Sequence, residues 1–156
     1  MSVSIYGNGQ AVIQVVNATT SSTTATTSTS FVTTGFSASI TPQSTTSKIL
    51  VITSLQGILS QISGTGYLYA IEQITRNGTS IAVFDQISGF VSGGNVASGS
   101  NNSFTFLDSP ATTSAITYTC QYIFGRIGGS SGSVGDADSN IATTNTPSIT
   151  LIEIAG

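Results

Sequence analysis

The chain has 156 residues, enough for one domain with a buried core, and only 6% of them are charged. An ordinary soluble domain is about 25% charged, so the polar surface here has to consist of Ser, Thr, Asn and Gln. Three cations are too few for a nucleic-acid or anionic-membrane surface, and the absence of histidine removes the usual general base and most transition-metal sites.

The N-terminus begins MSVSIYGNGQ and lacks the basic start and apolar core of a signal peptide. The apolar runs, such as that from Ile49 to Ile52, are far too short to span a bilayer. Cys120 is the only cysteine, which excludes an intramolecular disulfide. We therefore expect a soluble protein that is synthesised in a reducing cytoplasm.

The chain shows no convincing helical periodicity, and Thr, Ser, Val, Ile and Gly dominate it, which favours strands and turns. Alternation with a period of two recurs instead. In ITYTCQYIF, the side chains from Ile116 to Phe124 alternate between an apolar and a polar face. Strands are predicted at about 3–6, 11–17, 29–34, 36–41, 48–55, 66–75, 79–84, 86–91, 103–107, 115–124 and 148–154.

A polar tract separates the first of these strands from the middle of the chain. Eleven of the twelve residues from Thr19 to Ser30 are Ser or Thr. The tract contains no Pro, which argues against a mucin-like stalk, and Thr favours strands through its branched side chain. We interpret the tract as a polar strand–turn–strand connection with one solvated face; a mobile loop is the alternative.

Further along, KILVITSL (48–55) is nearly continuously apolar, as expected for a central strand with both faces covered. Asn77 and Gly78 predict a two-residue hairpin turn, because both positions of such a turn need positive φ. Two segments rich in Gly, Ser and Asn, 92–102 and 128–140, are predicted to be long loops. Many short strands with turn signals between them predict an all-β, antiparallel sandwich like a jelly roll.

One segment has the spacing of a calcium ligand set. DADSN places Asp136, Asp138 and Asn140 at alternate positions, as in the opening of a calcium-binding loop. The glycine and the glutamate that such a loop requires are replaced by Ile141 and Pro147, which excludes the helix-flanked form. An irregular calcium site stays open, but the simpler interpretation is that two aspartates keep a glycine-rich loop soluble. We predict no cofactor and no metal.

The acidic residues give no sign of catalysis. A glycosidase needs two acids that converge in a cleft, and nothing in the sequence brings Glu72, Asp85 and Asp108 together. Asp108 precedes Ser-Pro and is interpreted as a turn former. Glu72 and Glu153 lie in apolar strands, where an unpaired carboxylate is costly, so each is expected to pair with a cation within the chain or across a subunit interface. The cations are Lys48, Arg76 and Arg126. Cys120 is expected to be a buried hydrophobe.

Three stretches, taken together and in this order, carry a resemblance. They are SFVTTGFSASITPQSTTSKILVITSL (30–55), FLDSPATTSAITYTCQY (106–122) and TPSITLIEIAG (146–156). They resemble a β-rich domain of tailed bacteriophages, cyanophages among them, that occurs in tail-fibre tips and resembles capsid decoration proteins. The similarity covers most of residues 11–156. It implies a virion structural role, a homotrimer of β-sandwiches and no catalytic residues.

The chain departs from the fibre pattern because only about ten residues precede the domain. We therefore expect an N-terminal arm, 1–10, and a single β-sandwich domain, 11–156. This organisation favours a capsid decoration (cement) protein, a homotrimer on the outer surface of the virion, with the major capsid protein or another virion protein as partner. The arm would add a strand to the edge of a capsid protein. Its docking residues are expected to be Val3, Ser4, Ile5 and Tyr6.

The alternative is a tail-fibre tip that recognises a host surface glycan through the loops 92–102 and 128–140. The expected exposed-loop contacts are Asn95, Asn101, Asp136 and Asp138. An enzyme, such as a glycan depolymerase, is disfavoured by the missing histidine and the small number of acids. A non-viral bacterial surface protein is disfavoured by the missing export signal.

Overall fold

The computed structural model describes residues 12–20, 25–26, 28–63, 66–91, 95–128, 131–136 and 147–156, with side chains over 12–20, 28–54, 71–84, 103–123 and 147–156. These residues form ten strands and no helix. The strands are β1 (Val12–Thr19), β2 (Ala25–Thr26), β3 (Val32–Ile40), β4 (Lys48–Ser63), β5 (Gly66–Arg76), β6 (Thr79–Val91), β7 (Asn95–Asp108), β8 (Ile116–Gly128), β9 (Ser131–Asp136) and β10 (Ser148–Ile154). The described part of the chain thus contains no helix of the length and hydrophobicity needed to cross a membrane.

The strands form two antiparallel sheets. Sheet A follows the order β1-β10-β4-β9-β2, with β7 also paired to β4, and sheet B follows β3-β8-β5-β6. With β2 and β9 set aside, eight strands remain, and they pair first with last: β1 with β10, β3 with β8, β4 with β7, and β5 with β6. A long hairpin that is rolled into two sheets in this way is a jelly roll. The predicted antiparallel β-sandwich is therefore confirmed.

Strand β4 is the longest strand and organises sheet A. Its first part, Lys48–Ser54, lies between β10 and β7. After an irregularity between Leu55 and Ile58, its second part, 58–63, lies between β9 and β7. β10 pairs only with the first part of β4, and β9 pairs only with the second part. The strand that lies on this side of β4 therefore changes halfway along it. This arrangement makes the strand twice as long as the predicted 48–55.

The core lies between the sheets and follows the alternation of the strands. In β10, residues 149, 151 and 153 are buried and their neighbours are partly exposed, and β3 alternates in the same way. Burial of each aliphatic or aromatic side chain stabilises the fold by about 1.5–3 kcal/mol. The buried apolar residues are Phe36, Ala38, Ile40, Ile49, Val51, Ile74, Ile116, Tyr118, Cys120, Tyr122, Ile149 and Leu151.

The predicted hairpin turn at Asn77 and Gly78 is confirmed. It joins β5 to β6, and the two residues have φ of 48° and 84°. Asn77 also ties the turn to β8: its N–H donates to the carbonyl of Thr117 over 2.9 Å, and its Oδ1 accepts from the N–H of Thr117 over 2.8 Å. The Asn side chain therefore fixes the position of the turn as well as its shape.

The predicted loops at 92–102 and 128–140 are wrong over much of their length. Residues 95–102 belong to β7 and residues 131–136 form β9, and both pair with the second part of β4. Ser, Gly and Asn have weak strand preferences, but β4 offers hydrogen-bonding groups on both sides, and such tertiary pairing overrides local preference. Asn95 and Asn101 are thus strand residues, and Asp136 is the last residue of a strand.

Other predicted strands merge into longer ones. The pairs predicted at 29–34 and 36–41, and at 79–84 and 86–91, form the single strands β3 and β6. Within the polar tract, β1 extends to Thr19 and the two residues of β2 pair with β9. The predicted arm residues, Val3 to Tyr6, and Asp138 lie outside the described residues.

Candidate functional site

Three carboxylates have described side chains, and all three are buried. Glu72 is 2% exposed, Asp108 8% and Glu153 0%. Asp108 and Glu153 each have their own set of hydrogen-bond partners, and no partner is shared between them. No group of three or more potential metal ligands occurs among the described residues. Asp108 and Glu153 are therefore held in place by neighbouring donors.

The first cluster joins the two sheets at Asp108. Its carboxylate accepts from Nη1 of Arg76 over 2.9 and 2.8 Å and from the hydroxyl of Tyr118 over 2.7 Å. It also accepts from the N–H of Ser109 over 2.8 Å, at the start of the connection to β8. Burial, and then the hydrogen bond and the charge of Asp108, raise the pKa of Tyr118 above its usual range. Tyr118 is therefore a permanent donor to this carboxylate.

The second cluster surrounds Glu153. Its oxygens accept from Nε2 of Gln14 over 2.5 Å and from the N–H of Gln43 over 2.7 Å. Burial acts to raise the pKa of Glu153, but the hydrogen bonds from Gln14 and from the backbone of Gln43 and Ser44 outweigh it, so the pKa lies below its ordinary value. Within the described residues, neutral donors thus replace the predicted cation. Gln14 also donates to the carbonyl of Thr41 over 2.8 Å, which holds the loop between β3 and β4 against β1.

The third cluster lies in the middle of the sandwich, around Glu72 and Cys120. Both residues point between the sheets, and Cys120 is buried as predicted. Burial, and then the nearby charge of Glu72, raise the pKa of the Cys120 thiol, which keeps the thiol protonated. The hydroxyl of Thr53 lies in the same lining and has no hydrogen-bond partner, and the lining leaves no room for a water molecule. Arg76 is engaged by Asp108, so the pairing predicted for Glu72 stays a prediction with respect to Arg126, whose side chain is not described.

The outer face of sheet A carries an apolar row. Antiparallel register places Val15, Ile152, Leu50 and Leu107 side by side across β1, β10, β4 and β7. Val15 is 58% exposed and Leu107 is 53% exposed. The flanking rows add further aliphatic side chains on the same face, which are Val12, Ile52 and Ile154. No element of the described chain covers this row.

The outer face of sheet B is polar. Gln73 and Gln121 are opposite each other and are joined by a side-chain hydrogen bond of 2.5 Å. The hydroxyls of Ser39 and Thr117 are joined over 2.7 Å. Val83, opposite Gln73, is the large hydrophobic residue that stands out on this face, at 55% exposure. The two outer faces therefore differ: sheet A carries an aliphatic row beside the hydrogen-bonded polar pair Asn17 and Thr150, whereas the described groups on sheet B are mainly hydroxyls and amides.

Sequence reasoning missed the apolar row, although two of its strands carried a signal. Residues 48–55 and Ile149–Ile154 are apolar at successive positions. For the strand at 48–55, the sequence predicted that both faces are covered. The structure places Ile49 and Leu151 inside and leaves Leu50 and Ile152 partly exposed on the outer face. Within the described part of the chain, continuous apolar character in these strands thus marks an outer apolar face rather than a second covering layer.

The predicted contact residues are spread over the second part of sheet A. Asn101 follows Ser100, which lies opposite Ile58, and Asp136 lies opposite the same Ile58 on the other side of β4. Asn101 and Asp136 therefore lie on strands that flank β4 at nearly the same level. Asn95 lies farther along, opposite Ser63.

No protein-family model and no curated protein matches this chain. Among solved structures, it is similar to the structure of the infectious bursal disease virus Gx strain, with 17% identity over 90% of this chain and a TM-score of 0.37. It is also similar to the T13 viral particle of that virus (14% identity, 99% of this chain, TM-score 0.36) and to a D431N mutant of its VP2 protein in T=1 particles (15%, 90%, 0.36). The chain spans 36%, 39% and 36% of these three solved chains. A similarity of this degree carries no information on function.

Proposed function

We propose that this chain is a non-enzymatic virion structural protein, and specifically a capsid decoration (cement) protein that binds the outer shell as a homotrimer and stabilises it. The observation that supports this proposal best is the contrast between the inside and the outside of the sandwich. The described carboxylates are buried in structural clusters, whereas the outer faces present aliphatic, hydroxyl and amide groups. Uncharged side chains lose little free energy when a contact removes their water, which suits a surface made for assembly.

The jelly roll supports the proposal by analogy of fold, since viral capsid domains are one of the settings in which this fold recurs. The resemblance to β-rich domains of tailed bacteriophages points the same way. The three stretches that carry it fall on β3 and β4, on the connection from β7 to β8 with β8, and on β10. The stretches therefore include strands of both sheets.

The mechanism of such a protein is mass action. A protein that binds the assembled shell and not its dissociated subunits lowers the free energy of the shell by an amount that grows with the logarithm of its concentration over Kd. At a concentration of about 100 Kd, each bound site contributes about 2.7 kcal/mol. The partners are then copies of this chain and the major capsid protein, or another virion protein, and no cofactor is required. The arm at Val3 to Tyr6 is our proposed additional contact, made by adding a strand to a capsid-protein sheet.

A tail-fibre tip that recognises a host surface glycan is the second candidate. It is favoured by the placement of Asn101 and Asp136 on strands that flank β4 at nearly the same level, which brings two of the expected contact positions to one part of sheet A. Lectins also use the jelly roll. Under this proposal Asn95 and Asp138 would extend the same contact surface.

The deciding experiment is the copy number of this protein relative to the major capsid protein, measured by quantitative mass spectrometry of purified virions. A ratio near one is expected for a protein that coats the head. A ratio far below one would reject the decoration role and move the protein to a tail tip. Absence from the virion would overturn both candidates. A second readout is the melting temperature of purified empty capsids, which should rise when the protein is added at saturation.

A further inference from the structure

We infer that the outer face of sheet A is the surface through which one copy of this chain binds a second copy. We call it the apolar face and define it by seven aliphatic side chains: Val12, Val15, Leu50, Ile52, Leu107, Ile152 and Ile154. A contact of this face with the same face of another copy is isologous and joins two copies about a twofold axis. The inference therefore goes beyond the homotrimer of the proposed function and does not depend on it.

Three of the seven side chains of the apolar face are strongly exposed. Val12, Val15 and Leu107 are 48%, 58% and 53% exposed, and they are three of the four large hydrophobic residues that are exposed in the described part of the chain. Val15 and Leu107 lie at opposite edges of the four-stranded region, with Ile152 and Leu50 between them. Single exposed hydrophobics are ordinary, whereas a contiguous row across four strands is typical of a contact surface.

The low charge of this face favours a second copy as the occupant. Lys48, at the end of β4, is the only charged residue on the described part of the face, and its ammonium group donates to the hydroxyl of Ser109 over 2.7 Å. Glu153 and Asp108 belong to the same strands but point inward and are buried. A surface with no acid and one lysine at its corner offers little to a partner that is selected by charge. It meets a copy of itself without like-charge repulsion at its centre.

The rest of the described surface supports the same occupant. Of the five ionisable side chains described on strands β4, β5, β7 and β10, three are the buried carboxylates, and Arg76 is held by Asp108. A second copy therefore presents almost no charge to the apolar face. By contrast, the polar face of sheet B already satisfies its groups with internal hydrogen bonds, such as that between Gln73 and Gln121. Its burial would return less free energy, because it removes little apolar surface from water.

The size of the face predicts a weak contact. The aliphatic side chains span four strands about 4.8 Å apart and about five residues along them at about 3.3 Å each, which gives about 19 by 17 Å, or roughly 320 Å². One partner in a standard interface contributes about 800 Å², so this contact belongs to the small and weak class. Two such sheets would stack about 10 Å apart with their strands within about 30° of each other. Association should therefore depend on concentration in solution and become complete only where many copies are held close together.

The test is sedimentation velocity of the full chain over concentrations from about 5 to about 500 μM, which bracket the affinities of weak contacts. Val15→Lys and Leu107→Lys place a charge at either edge of the apolar face, and Val83→Lys is the matched control on sheet B. These three valine and leucine side chains are 58%, 53% and 55% exposed, so all three variants should fold, which thermal unfolding verifies. We expect both variants on the apolar face to weaken self-association at least about tenfold, equivalent to about 1.4 kcal/mol, and the control to leave it unchanged.

A second measurement does not depend on adding charge. Because Cys120 is buried, a cysteine introduced at position 107 or 83 becomes the accessible thiol. Labelling of Leu107→Cys by a maleimide should slow several-fold as the protein concentration rises, whereas labelling of Val83→Cys should not. A wild-type chain that stays monomeric throughout the range overturns the inference. So does equal association of all three lysine variants, which would place the contact between copies elsewhere while leaving the virion role intact. If the wild type is monomeric and the two apolar-face variants lose binding to empty capsids, the face belongs to a shell protein and the inference is wrong.

Discussion

Arg76 of sheet B and Asp108 of sheet A join the two sheets through two contacts of 2.9 and 2.8 Å from one guanidinium nitrogen to both carboxylate oxygens. Tyr118, also on sheet B, adds a third contact to the same carboxylate. Asp108 is buried, whereas the side chain of Arg76 is 31% exposed. A carboxylate at this depth depends on its partners, because removing them would leave a charge without compensation.

Replacing Asp108 should therefore destabilise the protein more than replacing a surface acid. Asp108→Ala removes the acceptor of both Arg76 and Tyr118. We expect the free energy of unfolding to fall by about 2 kcal/mol, a value between those of surface and buried ion pairs. Tyr118→Phe should cost about 1.5 kcal/mol. Urea denaturation of both variants and of the double variant gives the coupling between them. Strictly additive effects would show that the hydroxyl and the carboxylate do not act as one unit.

Glu153 should make the stability of the protein dependent on pH. Its pKa is lower in the folded state than its ordinary value, so its contribution is complete above the ordinary glutamate range and is lost as the pH falls through the folded value. Glu153→Gln should cost about 1–3 kcal/mol near pH 7, because an amide NH₂ then faces the donors of Gln14 or Gln43. The difference in the free energy of unfolding between the variant and the wild type should shrink towards about pH 3. Urea denaturation at both pH values measures it; a difference that is equal at both would contradict the assignment.

The hairpin turn allows a clean test of backbone conformation. Gly78 has φ of 84°, and a Cβ added there would meet nothing within 4 Å. Gly78→Ala should therefore cost about 1–2 kcal/mol through backbone conformation alone. Asn77→Gly keeps the freedom of the backbone but loses the acceptor for the N–H of Thr117, and it should cost about 1 kcal/mol. Thermal unfolding compares the two variants, and an unchanged melting temperature for Gly78→Ala would count against the conformational account.

Thr53 provides a prediction of stabilisation. Its hydroxyl is buried without a hydrogen-bond partner. Thr53→Val replaces that hydroxyl by a methyl group of similar size, so we expect a gain of about 1 kcal/mol in the free energy of unfolding. Ser39→Ala is a useful control, because its hydroxyl is exposed and bonded to that of Thr117. A loss of stability in Thr53→Val would imply that this hydroxyl has a partner in solution.

Cys120 should be unreactive in the folded protein. It is 4% exposed, and burial and the nearby charge of Glu72 raise the pKa of its thiol. Only the thiolate attacks thiol reagents, so labelling by a disulfide reagent near pH 8 should follow global unfolding and not the native state. Comparing native and urea-unfolded protein measures this directly. Rapid labelling of the native protein would mean that the sandwich opens locally around β8.

Local sequence patterns predicted several elements of the fold because their causes are local. Alternation in Ile116–Phe124 reflects a strand with one covered face, and β8 follows it. The turn at Asn77 and Gly78 depends on φ preferences of two adjacent residues. The class of the fold follows from these elements, since many short strands with one apolar face have few ways to bury it other than as two stacked sheets.

Other features depend on residues that are far apart in the chain. Strands form at 95–102 and 131–136 only because β4 provides partners on both of its sides. Likewise, the choice of Asp108 rather than Glu72 as the partner of Arg76 depends on the register between β4 and β7 and on the crossing from one sheet to the other. The expectation that Glu153 meets a cation followed from its apolar strand, whereas the structure supplies neutral donors from β1 and a loop.

The sequence by itself determined that this protein is a β-structure with few charged residues and one hairpin turn of known position, because composition, period and φ preference act over a few residues. The tertiary structure decided which sides of those strands form the core, which carboxylates are held by which donors, and that seven aliphatic side chains share one outer face. An alternating strand shows that it has two faces but does not show what lies across from them. That information exists only once β1, β10, β4 and β7 are brought into register.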